Sequence, residues 1–170
     1  MLSSGHKSSD FIDVKAALAR GEDLEKACQA ILETLQGVGF DAVGGLTMGA
    51  DQFAHVLAVL ARKQWFVVRK APKGRGTDKL IEGATLGPGT DALVVEDVVT
   101  TGGSLAKACG VVRAAGARVV MAVALVDRGE VANRLFAEQQ VPYRPLITYG
   151  DLDIAPVGGN DQSGPSLVEG

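Results

Sequence analysis

Only two cysteines, Cys28 and Cys109, stand in 170 residues. A disulfide framework or a cysteine-ligated metal centre needs more than this. Both fall on the apolar faces of expected helices, so core packing is the role they predict. No apolar run approaches the ~18 residues of a membrane span, and no signal-peptide pattern opens the chain. The expected setting is cytoplasmic, with no membrane partner. Excess positive charge is missing too: the net charge is −3, which gives no reason to expect a nucleic-acid partner. No Gly-x-x-x-x-Gly-Lys-Ser/Thr occurs, which argues against a P-loop. Gly37-Val38-Gly39-Phe40-Asp41-Ala42 matches the dinucleotide fingerprint by spelling alone. It follows an expected helix and precedes an expected strand, the reverse of the required context. There are no internal repeats.

What is present suits one globular domain: 46% hydrophobic and 22% charged residues over a length sufficient to bury a core. Residues 11–14 read as a short strand. Asp23 is placed to cap a helix whose Leu24, Ala27, Cys28, Ile31, Leu32 and Leu35 share one face. Strands are expected at 41–46, 65–68, 92–95, 118–126 and 143–147, and helices at 50–63, after Ser104, and at 132–139. His55 lies on the second helix, where a packing or surface role is expected. Between Arg69 and Gly89 runs a long loop, cationic and poor in apolar residues, of the kind that is functional when it occurs inside a domain. Alternation of strand and helix predicts an α/β fold with a doubly wound, mainly parallel sheet flanked by helices. Right-handed crossovers then bring the strand ends near 45, 69, 97 and 127 to one carboxyl edge, where ligands bind in such sheets. Residues 1–156 form the expected domain; 157–170, polar and with little to bury, form an expected disordered tail.

One stretch organises the rest. Ala92 to Val95 is a short apolar run, Glu96 and Asp97 are expected to end it, and Val98-Val99-Thr100-Thr101-Gly102-Gly103-Ser104 follows. Leu105, Ala108, Val111, Val112 and Ala115 then show helical spacing, with Ser104 as the expected N-cap. A small-residue loop entering a helix can present N–H groups and hydroxyls to a phosphate, with the positive end of the helix dipole behind them. Gly102 and Gly103 permit close approach of the backbone. An acidic pair would repel a bare phosphate and suits sugar hydroxyls or a hard metal ion instead. The ligand expected is a phosphorylated sugar.

The same string resembles the phosphoribosyl-pyrophosphate (PRPP) motif of the type I phosphoribosyltransferases: hydrophobic strand, acidic pair, Thr-x-Gly-x-Ser/Thr. Three other segments resemble one branch of that class, the orotate phosphoribosyltransferases, with similarity running from about residue 3 to 152. Arg69-Lys70-Ala71-Pro72-Lys73-Gly74-Arg75-Gly76 with Lys79-Leu80-Ile81-Glu82-Gly83 is similar to the family's catalytic loop. Ser4-Gly5-His6-Lys7-Ser8 resembles its base-binding segment, and Asp127-Arg128-Gly129 its orotate-carboxylate turn.

The resemblance implies transfer of 5-phosphoribosyl from PRPP to orotate, yielding orotidine 5′-phosphate and pyrophosphate in pyrimidine biosynthesis. By it, Glu96 and Asp97 hold ribose hydroxyls, directly or through Mg²⁺-bound water, the Mg²⁺ being held mainly by PRPP. Val98, Val99, Thr100, Thr101, Gly102, Gly103 and Ser104 belong to the PRPP site, with residues 100–104 cradling the 5′-phosphate and Thr100 also near orotate. Arg69, Lys70, Lys73 and Arg75 bind pyrophosphate, Lys73 and Asp97 are catalytic, and Lys7 and Arg128 contact orotate. A homodimer is implied, with loop 69–89 shared between subunits. Arg75 replaces a histidine or tyrosine of other members, and Met48 stands where some carry a lysine directed at pyrophosphate. The segment before Ser3 is short, which implies an incomplete N-terminal hood over the base. Two other readings fit the same motif: a type I transferase for another base, and a PRPP-binding regulator without turnover. Lys73, Glu96 and Asp97 together favour an enzyme, since a sensor needs no leaving-group lysine.

Overall fold

The computed structural model describes residues 12–72 and 79–157. Its elements are α1 (Val14–Ala17), α2 (Gly21–Leu35), β1 (Ala42–Leu46), α3 (Asp51–Ala61), β2 (Gln64–Val68) and β3 (Ile81–Gly83). After them come β4 (Asp91–Val99), α4 (Gly103–Ala114), β5 (Arg118–Asp127), α5 (Ala132–Glu138) and β6 (Tyr143–Thr148). Six strands form one sheet in the order β3-β2-β1-β4-β5-β6, and only the β2–β3 pair is antiparallel. The expected doubly wound, mainly parallel sheet is what forms.

Side-chain alternation along the strands builds a core on each face. Ala92 and Val94 of β4, with Ala122 and Ala124 of β5, pack against Leu105, Ala108, Cys109 and Val112 of α4 and Phe136 of α5. Leu93, Val95, Met121, Val123 and Leu125 pack on the opposite face against Cys28, Ile31 and Leu35 of α2 and Phe53 and Leu57 of α3. The two cysteines therefore lie in separate cores, and burial pushes each thiol up to about 12. They are inert packing residues. His55 packs edge-on against Trp65, with ring centres 4.7 Å apart. No helix among the described residues is long and apolar enough to cross a membrane.

The chain begins its sheet at β1, in the middle, adds β2 and β3 on one side, then crosses back to β4 on the other. Neighbouring strands whose connections leave in opposite directions open a crevice at their carboxyl ends. Here that crevice lies beyond Leu46 of β1 and along the last residues of β4. It is the ligand edge.

Five local expectations are corrected. Val14 opens a helix, not a strand, because Asp13 accepts a hydrogen bond from the Ala16 N–H at 3.0 Å and caps it. Arg20, not Asp23, precedes α2; Asp23 sits in the first turn, where its charge favours the positive helix end. Residues 69–89 are not one loop, since Ile81–Gly83 pairs with β2 and the Arg69 N–H donates to the Leu80 carbonyl at 2.8 Å. The strand bearing the acidic pair continues through it to Val99, because the long β5 offers partners as far as Asp127. At the other end of the described chain, Val157 is buried and bridges to Gly129.

Ser104 is not the N-cap of α4 either. Gly102 takes that place with φ +83°, a left-handed turn from which the chain enters the helix at Gly103. Replacing Gly102 with Ala should cost roughly 1–2 kcal/mol of stability through the left-handed backbone, and its new methyl would also press on Leu135. Gly110→Ala, within the same helix and with open space around the site, should instead stabilise by roughly 0.5–1 kcal/mol. Urea unfolding of both variants checks the pair; a Gly102→Ala variant as stable as the parent, or stabilised like Gly110→Ala, would mean that Gly102 carries no turn constraint.

Candidate active site

Three cavities form a row along the carboxyl edge. The first, about 310 Å³, is lined by Glu96 and by residues 98–105, the end of β4 and the start of α4. No side chain caps α4. Its first-turn N–H groups thus have no competing side-chain acceptor, which is the condition for an anion cradle. The second cavity, about 250 Å³, shares Glu96, Val98 and Ser104 with the first and adds Asp97, Lys15, Lys70 and Leu46-Thr47-Met48-Gly49. The third, about 430 Å³, shares Thr47 and Lys70 with the second and adds Val67, Arg69, Ala71, Pro72 and Glu82. Read along the row, the linings pass from helix N-terminus to carboxylates to cations.

The acidic pair sits at the centre. Glu96 is 6% exposed, in register with Ala124 of β5. Burial, then the charge of and hydrogen bonding to Asp97, push its carboxyl up to about 8; the Asp97 N–H and Lys15 pull weakly the other way. Asp97 accepts from its neighbour's backbone, the Val98 N–H, at 2.8 Å and from Lys15 Nζ at 2.7 Å. The ammonium is raised in pKa chiefly by that hydrogen bond. The turn after β1 closes over both acids: a Cβ on Gly49 would collide with the carboxylates of Glu96 and Asp97. Thr47 Oγ1 donates to Asp51 Oδ2 at 2.8 Å, tying this turn to the start of α3.

On the cationic side, Arg69 reaches Glu82 at 3.4 Å across the β2–β3 pair. Lys107 of α4 donates to the Lys70 carbonyl at 3.0 Å, fixing the root of the hairpin beside the cradle. Arg128 is buried, 2% exposed, at the end of β5. Its N–H donates to the Val99 carbonyl at 2.8 Å and its carbonyl accepts from Val157. Asp127 shapes this turn, accepting from the Gly129 N–H and the Tyr143 hydroxyl, each at 2.9 Å; burial raises its pKa against those two bonds.

Of the expected site residues, the fold brings Arg69, Lys70, Glu96, Asp97, Val98, Val99, Thr100, Thr101, Gly102, Gly103 and Ser104 together around adjoining cavities. The Arg128 side chain does not line any of these three. Lys7, Lys73 and Arg75 lie outside the described residues. Two contributors went unforeseen. Lys15 precedes its partner by 82 positions, a separation that no local spacing reveals. Gly49 carries no local signal of a role, and only the approach of its turn to the end of β4 makes its missing side chain a requirement of this geometry.

A helix terminus without a side-chain cap, a pair of carboxylates and the cations Lys15, Lys70 and Arg69 thus adjoin at the switch point of this sheet. Residues 13–135 match the model of the phosphoribosyl transferase domain family. The orotate phosphoribosyltransferase of Methanosphaera stadtmanae is 37% identical over 151 residues, spanning 89% of this chain and 84% of that protein. That of Streptomyces avermitilis is 42% identical over 149 residues, spanning 84% and 81%. A crystal structure of Mycobacterium tuberculosis H37Rv orotate phosphoribosyltransferase in complex with PRPP superposes with a TM-score of 0.74 at 30% identity, covering 90% of this chain and 88% of that one. The chain belongs to the orotate phosphoribosyltransferase family.

The burial of Glu96 has a measurable consequence for the ligand-free protein. A carboxyl whose folded pKa lies above its unfolded value contributes stability that is full below the unfolded pKa, 4.5, and lost as pH rises through the folded one, about 8. Glu96→Gln should therefore flatten the fall in stability across that window, by an amount on the order of a few kcal/mol. Chemical denaturation from pH 5 to 9 measures it. Parallel profiles for parent and variant would mean that Glu96 ionises at its ordinary pKa in the fold.

Proposed function

We propose that the chain transfers the 5-phosphoribosyl group of PRPP to orotate, forming orotidine 5′-phosphate and pyrophosphate. The observation that carries this reading is the order of the three cavities. Their linings follow the order of the donor's own parts: 5′-phosphate against residues 100–104, ribose hydroxyls against Glu96 and Asp97, diphosphate against Lys70 and Arg69. The curated names of the relatives support orotate as the acceptor.

The chemistry asks for this distribution of charge. Breaking the bond between C1 and the diphosphate leaves positive charge on the ribosyl ring and adds negative charge to the leaving group. Cations fixed around the diphosphate stabilise that state. Lys73 is assigned the main part, with Arg69, Lys70 and Arg75 beside it. Asp97 and Glu96 fix the ring by its hydroxyls, so the acceptor meets C1 in one orientation. Orotate is already an anion, so no histidine base is required. Lys7 and Arg128 are assigned to orotate on the family resemblance, Arg128 to its carboxylate, which requires its buried side chain to open toward the base, and Thr100 is assigned a place between base and phosphate.

The donor set also fits Mg²⁺ of the loosely held kind. Two adjacent carboxylates suit an ion that keeps its waters and takes its remaining ligands from a diphosphate. Glu96 and Asp97 would hold it through water, and it would supply charge neutralisation on the leaving group.

Assembly completes the reading. A two-fold homodimer is proposed in which segment 69–89 serves the partner's site. Arg69 shares a cavity with its own chain's Thr47, and Lys70 also shares one with the acidic pair, so the sharing is proposed for the rest of the segment.

Acceptor choice tests the proposal. Arg128→Ala should raise the orotate KM roughly 10- to 100-fold, the loss of a charge-assisted contact, while the PRPP KM stays nearly constant. Arg128→Lys should fall between, having the charge without the two-pronged geometry. Uracil should be a poor substitute in the parent. Better use of uracil or a purine than of orotate would transfer the assignment to a type I enzyme for another base.

A further inference from the structure

The ammonium of Lys15 enters the central cavity from α1, the first element of the described chain. Its Nζ lies 2.7 Å from Asp97 Oδ2, with the lysine side chain 53% exposed and the carboxylate 15% exposed. The turn that walls the cavity opposite, Thr47-Met48-Gly49, brings no charge, and Met48 is 69% exposed. Lys15 and Lys70 are thus the cations among the residues lining this cavity.

We propose that Lys15 is a donor-binding residue: it balances Asp97 while the site is empty and turns to a diphosphate oxygen when PRPP binds. The inference rests on the PRPP reading above and adds to it a residue that no motif contains. A diphosphate beside two carboxylates needs cations close by, and the uncharged 47–49 turn supplies none, so Lys15 acts there together with Lys70 and the Mg²⁺ proposed above. Lysine suits the exchange, being a point charge on a flexible stem that does not demand a planar partner. A half-exposed ion pair is also weakly held, so a more highly charged ligand can take the ammonium from Asp97. The base of the stem is fixed meanwhile by the Asp13 cap of α1 and by Val14, buried in the α2–α3 core.

Calorimetric titration of three ligands separates this role from a structural one: PRPP, inorganic pyrophosphate and ribose 5-phosphate, which has the sugar and phosphate without the diphosphate. Lys15→Met, which keeps the stem and loses the charge, should weaken PRPP and pyrophosphate by about tenfold or more and leave ribose 5-phosphate within about twofold. Lys15→Arg should restore most of the loss. On an Asp97→Asn background, Lys15→Met should still weaken pyrophosphate. Recovery there would mean that Lys15 acts only as a counter-ion of Asp97, and equal weakening of all three ligands would mean that it only orients that carboxylate; either overturns the proposal. Unchanged affinities in a parent that binds PRPP sink this inference alone, whereas a parent that binds neither PRPP nor ribose 5-phosphate overturns the reading of the site together with it.

Discussion

Two carboxylates held side by side in a buried parallel strand are the constraint on which this structure turns. Glu96 and Asp97 lie within β4, hydrogen-bonded into the sheet, where unpaired charge is costly. Everything nearby lessens that cost without removing it. Glu96 tends to keep its proton, Asp97 receives a lysine and a backbone N–H, and the turn at Gly49 leaves out a side chain so that its backbone can close over both. A site arranged in this way is poised for a ligand rich in hydroxyls and accompanied by positive charge.

The sheet order makes that arrangement possible. Because β1 lies beside β4 although β2 and β3 intervene in sequence, the turn after β1 and the end of β4 meet at one crevice. The β2–β3 hairpin rises on one flank and the start of α4 on the other. Lys107 spans them, from α4 to the Lys70 carbonyl, so the start of α4 and the root of the hairpin are tied to each other. The tight turn at Arg128 is tied to the end of β4 on the far side, and the arrival of Val157 holds it there. Positions and charges at the edge are consequences of the crossover, and both cores serve to hold the two central strands against it.

Much of this was legible in the chain. The run from Ala92 to Val112 encodes strand, loop and helix by purely local signals, so its place at the ligand edge could be read before any coordinates, and its likeness to a PRPP motif named the class. Other features escaped for physical reasons. Glu96 and Asp97 look like strand breakers when only composition is weighed, yet the length of β5 decides where β4 ends. Ile81-Glu82-Gly83 is too short to show a period and becomes a strand only because β2 offers an edge. Ser104 has the chemistry of a cap, but Gly102 alone has the backbone for the turn. Lys15 was invisible, since its meaning is a distance to Asp97 across the fold.

The central claim is that the row of cavities is a catalytic site for a PRPP donor and an orotate acceptor, not a sensor's pocket. Pyrophosphate release from PRPP in the presence of Mg²⁺, followed with and without orotate, tests it most directly. Release should depend on orotate and match the orotidine 5′-phosphate formed, with little release when no base is present. PRPP that binds but yields pyrophosphate with no base offered, or only at a rate that orotate does not alter, would contradict the account.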